Sequence, residues 1–521
     1  MSYSYSFMLP VEGDSVFTVV VLPEKDGKFP SVLHRSPYES HHRGMTDEEV
    51  CRLIANDFRS FTENGFAVIF QDCMGTGKSS GDSDAFVFER REGLALQEWV
   101  RSSDFYNGEI YLLGASYSGV VHFVTKPFAS DIKGGAFDAT DCELYNFLYL
   151  NGFYRSNLHG DWYIDRYKKN GNINRVHDPL NFLTLPMTEY TKKVFGEKTS
   201  AFDEQLLHPR RDDPFWDTVN GGCDMRGALA DVNFPVFIAT GFQDIFNRGV
   251  HDMWLSMSEE VRNKSAFIIH PYHHGGSSEA QPYHFPGAQI CELCPDHERK
   301  WLSYAAGKGE APFETGKITY YEPFDNRWHC ETTEEYLRAD NTYTFTLDEG
   351  ERTYTYDPKD PAYFNGGLTN NFGGTKFQNA PGLRDDILTF YSDVFENDTH
   401  VRGNITARLR VKSSCPDTCF YIRLSIVKEE GDYGLRDSID QISNFCCDYV
   451  PGDEVDMDFT FDVAAFLIKG GEKLRVDISS SAMPLFVPHT NNRGLFTIQE
   501  TSRVAENTVI CDKSYVTVNY K

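Results

Sequence analysis

Ile110-Tyr111-Leu112-Leu113-Gly114-Ala115-Ser116-Tyr117-Ser118-Gly119 is the stretch on which the fold turns. Its first four residues form a short apolar run, the composition of a strand buried inside a sheet. Small residues follow at 114, 115 and 119, and a helix can begin immediately after Ser116. A strand that passes into a helix through so tight a turn holds one side chain at its tip, at the carboxyl edge of the sheet. Here that side chain is the Ser116 hydroxyl. The N–H of Tyr117 then faces any negative charge that develops beside the serine. Serines in glycine-rich turns are common, so partners are required before the motif implies chemistry.

A serine hydroxyl is a weak nucleophile without a base and a carboxylate that orients the base. The order expected along a chain of this kind is Ser, Asp, His. Gly241-Phe242-Gln243-Asp244 directly follows the apolar run Pro235–Thr240, and His270-Pro271-Tyr272-His273-His274-Gly275 follows the run Ala266–His270. Upstream, Val16–Leu22, Pro30–His34 and Phe66–Gln71 read as strands. Asp47–Asn64, stopped by Gly65, and Phe88–Val100 carry helical spacing. Strands and helices in alternation imply a parallel α/β sheet, with the serine, aspartate and histidines at the ends of three of its strands.

His270, His273 and His274 crowd together, with His284 nearby, and spacing alone leaves open which is the base. They lack the helical pairing of an H-E-x-x-H site and have no matching carboxylates, which argues against a metal. Cys291-x-x-Cys294 is half of a zinc site with no second pair. Gly75-Thr76-Gly77-Lys78-Ser79 imitates the end of a phosphate-binding loop, but Asp72 stands where that loop needs glycine. No metal and no cofactor are expected.

Asp141 to Arg226 breaks the alternation with aromatic, charged, irregular sequence and short helical pieces such as Met187–Val194. From about Phe313 onward short alternating segments recur: Lys317–Tyr321, Thr342–Leu347, Ile387–Tyr391, Ala407–Val411, Phe420–Val427, Leu474–Ile478 and Thr508–Cys511. Turn residues separate them, as in an antiparallel sandwich. The expected division is a core in two parts, 1–140 and 227–312, a partly helical cap over 141–226, and an all-β domain over 313–521.

The formal charge of −27 opposes binding to nucleic acid or anionic lipid. No run approaches about 20 apolar residues, so no membrane span is expected. The start, MSYSYSFMLPVEGD, has no basic stretch or long apolar run. Twelve cysteines without a leader then point to reduced thiols in a cytoplasm, where Asn-x-Ser/Thr triplets at Asn263, Asn397 and Asn404 carry no glycosylation message. A homo-oligomer stays open.

Several segments carry a likeness at once: Arg35-Ser36-Pro37-Tyr38, Gln71–Gly81, the Gly114–Gly119 turn with tyrosine after serine, Gly241–Asp244 and Pro271–His274. Tyr354–Pro361, Asp417–Phe420, Gly471–Arg475 and Ile478–Pro484 extend it to the C-terminal region. In these the chain resembles the cocaine esterase and X-prolyl dipeptidyl-peptidase family of serine hydrolases, which includes the α-amino-acid ester hydrolases. The resemblance implies an α/β-hydrolase core with an inserted cap and a C-terminal jelly roll. It implies Ser116 as nucleophile, His274 as base, Asp244 as the orienting acid, and an oxyanion hole from the Tyr38 hydroxyl and the Tyr117 N–H. It also suggests Phe246 as a wall of the substrate pocket. Asp141, Glu143 and Tyr145, at the start of the cap, are further candidates for that pocket.

Met74, Ala95, Tyr272 and Cys419 depart from the family's usual residues and mark a distant branch. The expected activity is hydrolysis of a carboxylic ester or activated amide, with a small acyl ester or short amide as the partner. An X-prolyl or amino-acyl peptidase is the alternative among enzymes, and a catalytically dead binding protein the alternative outside them.

Overall fold

The apolar runs assemble into a ten-stranded sheet. Its strands are β1 (Tyr3–Val11), β2 (Asp14–Leu22), β3 (Phe29–Ser36), β4 (Ala67–Asp72), β5 (Tyr106–Ala115), β6 (Ile132–Asp138), β7 (Val236–Gln243), β8 (Ala266–His273), β9 (Lys317–Glu322) and β10 (Arg327–Thr332). Across the sheet they lie in the order β1-β2-β4-β3-β5-β6-β7-β8-β9-β10. Strands β3 to β9 pair in parallel, while β1, β2 and β10 join by antiparallel ladders. The computed structural model describes residues 2–38, 42, 44–156, 160–167, 179–217, 225–275, 282–369 and 373–521.

Strand β4, Ala-Val-Ile-Phe-Gln-Asp, is buried along its whole length because helices cover both faces of the sheet. On one face Val68 and Phe70 pack with α1 (Asp47–Asp57), α2 (Arg59–Glu63) and, from later in the chain, Trp301 and Leu302. On the other, Ala67 and Ile69 share a core with α3 (Glu89–Arg101) and α4 (Tyr117–Phe123) through Leu96, Val100, Val120 and Val121. The helix expected over Asp47–Asn64 is divided at Phe58, whose ring packs on His34 and Phe61. Strand β1 was not anticipated; its Tyr3, Tyr5 and Phe7 form an aromatic row that ends on Trp99.

The cap adds α5 (Leu144–Leu148), α6 (Asp161–Arg166), α7 (Tyr190–Phe195) and α8 (Ser200–Gln205), held by ring contacts among Tyr163, Tyr190 and Phe202. The chain then returns to the sheet, with α9 (Asn247–Ser256) after β7 and α10 (His297–Ala305), which carries Trp301 and Leu302, after β8.

Past Thr332 the strands form an eight-stranded and a four-stranded antiparallel sheet around a second core that includes Leu409, Val411, Ile422, Leu424, Val476 and Val516. This is the expected jelly roll, with one correction. Lys317–Tyr321, read with the sandwich, pairs in parallel with β8, Phe267 beside Ile318 and Ile269 beside Tyr320. Its residues 318–322 are buried without alternation, as suits a strand continuing a sheet covered on both faces. Among the described residues no helix is long and apolar enough to cross a membrane.

Candidate active site

Ser116 lies between β5 and α4 with φ 55° and ψ −132°, a conformation that residues with a side chain rarely hold. The turn is possible because its neighbours are small. A Cβ at Gly114 would overlap the Ser118 carbonyl, and one at Gly119 would come within 2.6 Å of Thr140 Oγ1. The Ser116 N–H donates to the Asp138 carbonyl at the end of β6 (2.9 Å), which ties the turn to the neighbouring strand.

Asp244 follows β7 and His274 follows β8, and both side chains reach the serine's edge of the sheet. His274 Nε2 is 2.9 Å from Ser116 Oγ, and its Nδ1 is 3.2 and 3.3 Å from the two oxygens of Asp244. The Phe246 N–H also donates to Asp244, at 2.8 Å. Burial alone would push the His274 imidazolium down, but the Asp244 carboxylate outweighs it, and with Asp138 it raises the group above the ordinary imidazole value. Asp244 is buried too, yet His274 and the Phe246 N–H hold it below the usual carboxylate range.

The other histidines point elsewhere. Burial pushes His270 down to about 4, and its Nδ1 accepts from the Tyr272 N–H. His273 is lowered chiefly by burial and faces the loop at Gly373 and Lys376, while His284 is exposed.

Tyr38, two residues beyond β3, donates its hydroxyl to Ser116 Oγ at 3.3 Å. Burial raises its pKa above the phenol value, partly offset by that bond and by Arg166, so it stays a neutral donor. The Arg166 guanidinium, on α6 of the cap, lies 4.9 Å from the Tyr38 ring centre. Tyr117 is the first residue of α4, where backbone N–H groups have no carbonyl one turn back.

The anchor of both tyrosines was not recognised from sequence. Arg35, buried in β3, donates Nε to Gln71 of β4 and Nη1 to the carbonyls of Glu89 (α3) and Val121 (α4), and its Nη2 pairs with Glu92 at 2.7 Å. One guanidinium thus ties the strand leading to Tyr38 to the helix that begins at Tyr117. Gly93 makes room for it, since a Cβ there would lie 2.6 Å from Arg35 Nη1. The available signal was an arginine inside a strand, matched by the Glu92 carboxylate on a following helix.

A cavity of about 200 Å³ opens beside Ser116, Tyr38 and His274. Phe86, Tyr117, Phe147, Trp162 and Phe246 supply its aromatic lining, and Val120 and Ile245 complete it. The Phe246 ring lies 5.3 Å from that of His274. Asp141 and Tyr145 do not line this cavity. Asp141 is buried against Gly249, accepts from the Glu143 N–H, and borders a separate cavity of about 460 Å³ with Glu143, Arg211 and Asp252. Tyr145 donates to the Pro209 carbonyl and stacks on Tyr149, facing a cleft between cap and jelly roll. Contacts with residues distant in sequence, Gly249 for Asp141 and Pro209 and Trp216 for Tyr145, hold both away from the serine. Phe86, Phe147 and Trp162 were missed, because nothing in their local sequence sets them apart from core aromatics.

Comparison with known proteins gives the family. Residues 12–276 match the model of the X-Pro dipeptidyl-peptidase (S15 family), and residues 318–517 match that of the X-Pro dipeptidyl-peptidase C-terminal non-catalytic domain. The chain is 22% identical to a cocaine esterase from Rhodococcus sp. (strain MB1 Bresler) over 553 aligned positions, 95% of this chain and 93% of that one. Its fold is similar to that of an α-amino-acid ester hydrolase, with TM-score 0.79 and 17% identity over 100% and 97% of the two chains. An aminopeptidase from the marine sediment archaeon Thaumarchaeota archaeon gives TM-score 0.78 and 16% identity over 100% and 96%. With half of its length under the catalytic family match and the rest of the likeness running through the jelly roll, the chain belongs to the X-Pro dipeptidyl-peptidase S15 family and is a serine hydrolase.

Proposed function

We propose that the protein hydrolyses esters of uncharged carboxylic acids with a flat or branched apolar acyl group, through an acyl-enzyme on Ser116. The cavity at Ser116 carries the reading. Its lining is aromatic and aliphatic, and among the described residues no Asp, Glu, Lys or Arg side chain lines it. Such a pocket suits an apolar acyl group and offers an α-ammonium no counter-charge.

Ser116 Oγ attacks the ester carbonyl and His274 Nε2 takes its proton, while Asp244 holds the ring with Nδ1–H toward the carboxylate. As the C–O bond forms, the carbonyl oxygen becomes an oxyanion that the Tyr38 hydroxyl and Tyr117 N–H stabilise. Collapse breaks the bond to the alcohol, which leaves with the proton from His274. Water, deprotonated by the same histidine, then attacks the acyl-enzyme and frees the acid and Ser116. Trp162 and Arg166 bring the cap to this site, one as a wall and the other over the Tyr38 ring. The described cysteines are all unpaired, which supports a reducing, cytoplasmic setting.

The second reading, cleavage of an X-Pro peptide, is favoured by the family match itself. Initial rates on p-nitrophenyl benzoate and on glycyl-prolyl-p-nitroanilide decide between them. The ester should give the larger kcat/KM by at least about a hundredfold, roughly the discrimination that an apolar pocket reaches; a preference for the anilide would overturn the ester reading.

A further inference from the structure

We infer that Glu89 is a positioning residue for acyl transfer, fixing through one carboxyl oxygen both the Tyr117 hydroxyl and the main chain of Phe86. Tyr117 carries the N–H that meets the oxyanion, and Phe86 is a wall of the acyl cavity, so the inference rests on the ester-hydrolysis reading above.

Glu89 is the first residue of α3 and is buried. Its Oε1 accepts from the Phe86 N–H at 3.0 Å and from the Tyr117 hydroxyl. The same Phe86 N–H lies 3.0 Å from the Tyr117 oxygen, which closes a triangle of two donors around one acceptor. Tyr117 is therefore held at both ends, by the helix start at its backbone and by Glu89 at the far side of its ring. Both anchors resist displacement of the first residue of α4, and with it of the N–H that faces the carbonyl oxygen.

Phe86 has φ 68°, in the left-handed region that side-chain-bearing residues leave unless something holds them. The hydrogen bonds to Glu89 and Tyr117 do the holding. In that conformation its ring stacks on Trp162 (centroids 5.6 Å, 22°) and meets Tyr117 (4.7 Å) and Phe147 (5.3 Å), all members of the cavity lining. One acceptor thus sets an electrostatic element of the site and its shape together.

The groups facing Glu89 are Tyr117 from α4, Glu92 on its own helix, Arg35 from β3 and Cys73 after β4. Burial first, and then Glu92, pushes the Glu89 carboxyl up to about 8, so at neutral pH it is the uncharged acid. Glutamine is then a close mimic, because it keeps a neutral carbonyl acceptor, whereas leucine fills similar space and accepts nothing.

The experiment compares Glu89→Gln, Glu89→Leu, Tyr117→Phe and the Glu89→Leu/Tyr117→Phe double variant. The readouts are kcat and KM on p-nitrophenyl acetate and p-nitrophenyl benzoate, the rate of Ser116 labelling by a fluorophosphonate, and Tm. Glu89→Gln should stay within about threefold of the parent. Glu89→Leu should lower kcat on both esters by about tenfold and lower the benzoate-to-acetate ratio further, as expected when a buried hydroxyl loses its acceptor. Tyr117→Phe should reproduce part of the kcat loss, and the double variant should lose less than the sum.

Unchanged kcat, ester ratio and labelling rate in Glu89→Leu, with only Tm lowered, would overturn the inference, as would equal damage from Gln and Leu. Should Glu89→Leu fail to fold, normal turnover and labelling in Tyr117→Phe would overturn it. If the parent turns over neither ester, the ester reading fails and the labelling rates still decide the positioning role.

Discussion

Asp244 and His274 face each other from the ends of neighbouring strands, with Nδ1 of the imidazole 3.2 and 3.3 Å from the two carboxyl oxygens. The aspartate's charge is what lifts His274 above its ordinary pKa against the pull of burial. Only the neutral imidazole accepts the serine proton, so kcat/KM should rise with pH through a pKa above 6.5 and then level. Asp244→Asn removes the lift, and its rising limb should move to lower pH while kcat drops by about 10⁴. A pH–rate profile of both proteins checks this, and a limb that does not move would contradict the assignment.

His274→Ala should lose activity as completely as Ser116→Ala. His273→Ala should keep most of it, because that ring faces the Gly373 loop rather than the serine. Steady-state rates on one ester suffice, and the reverse ranking would move the base to His273.

The backbone at Ser116 makes a separate test. Ser116→Ala should lose turnover and fluorophosphonate labelling while keeping the strained φ of 55°. Ser116→Gly is equally inactive but relieves the strain, and should be the more stable of the two by about 1 kcal/mol. Urea denaturation of the pair reads the difference. Equal midpoints would mean that the turn relaxes without glycine.

Tyr38→Phe deletes the hydroxyl proposed to donate to the oxyanion and leaves the ring's packing against Arg166 and Tyr117 in place. Turnover should fall by roughly a hundred- to a thousandfold, mainly in kcat, because the charge it meets exists only in the transition state. Near-normal kcat with a lowered Tm would make Tyr38 a packing residue instead.

Gly93→Ala places a methyl 2.6 Å from Arg35 Nη1 and 2.7 Å from Thr125 Cγ2. Arg35 is pinned by four partners and cannot swing aside, so overpacking should cost about 1–3 kcal/mol. Since Arg35 joins the elements bearing the two proposed oxyanion donors, kcat should fall with stability. Loss of stability alone, read by thermal melts beside kinetics, would separate the two.

What could be read in advance was what local sequence dictates. The Ser116 turn, the aspartate after Pro235–Thr240 and the histidines after Ala266–His270 each follow a strand, and a parallel sheet brings such ends together whatever lies between them. The base among three histidines is different. Its choice depends on a bulge near the end of β8, where the register with β7 shifts between His270 and His273, and periodicity does not record a bulge. Asp141 and Tyr145 failed as pocket residues for a related reason: a cap's loops are placed by long-range ring contacts, so proximity in sequence to the core says little. Glu89 and Arg35 sit in ordinary-looking elements, and only the folded structure shows Arg35 answered by Glu92 and backbone carbonyls and Glu89 by Tyr117 and the Phe86 N–H.

The two family matches meet between residues 276 and 318, yet the hydrogen-bonded sheet does not end there. Strands β9 and β10, encoded with the jelly roll, complete the row next to β8, the strand that delivers His274. The seam at which homologous segments join is therefore displaced from the seam at which the polypeptide could be divided. A gene split at the homology border would leave β8 as a bare outer strand, open to pairing with other chains. Crossover between relatives would preserve the hydrolase only if Lys317–Thr332 travelled with the upstream half, so that what is exchanged begins after Thr332.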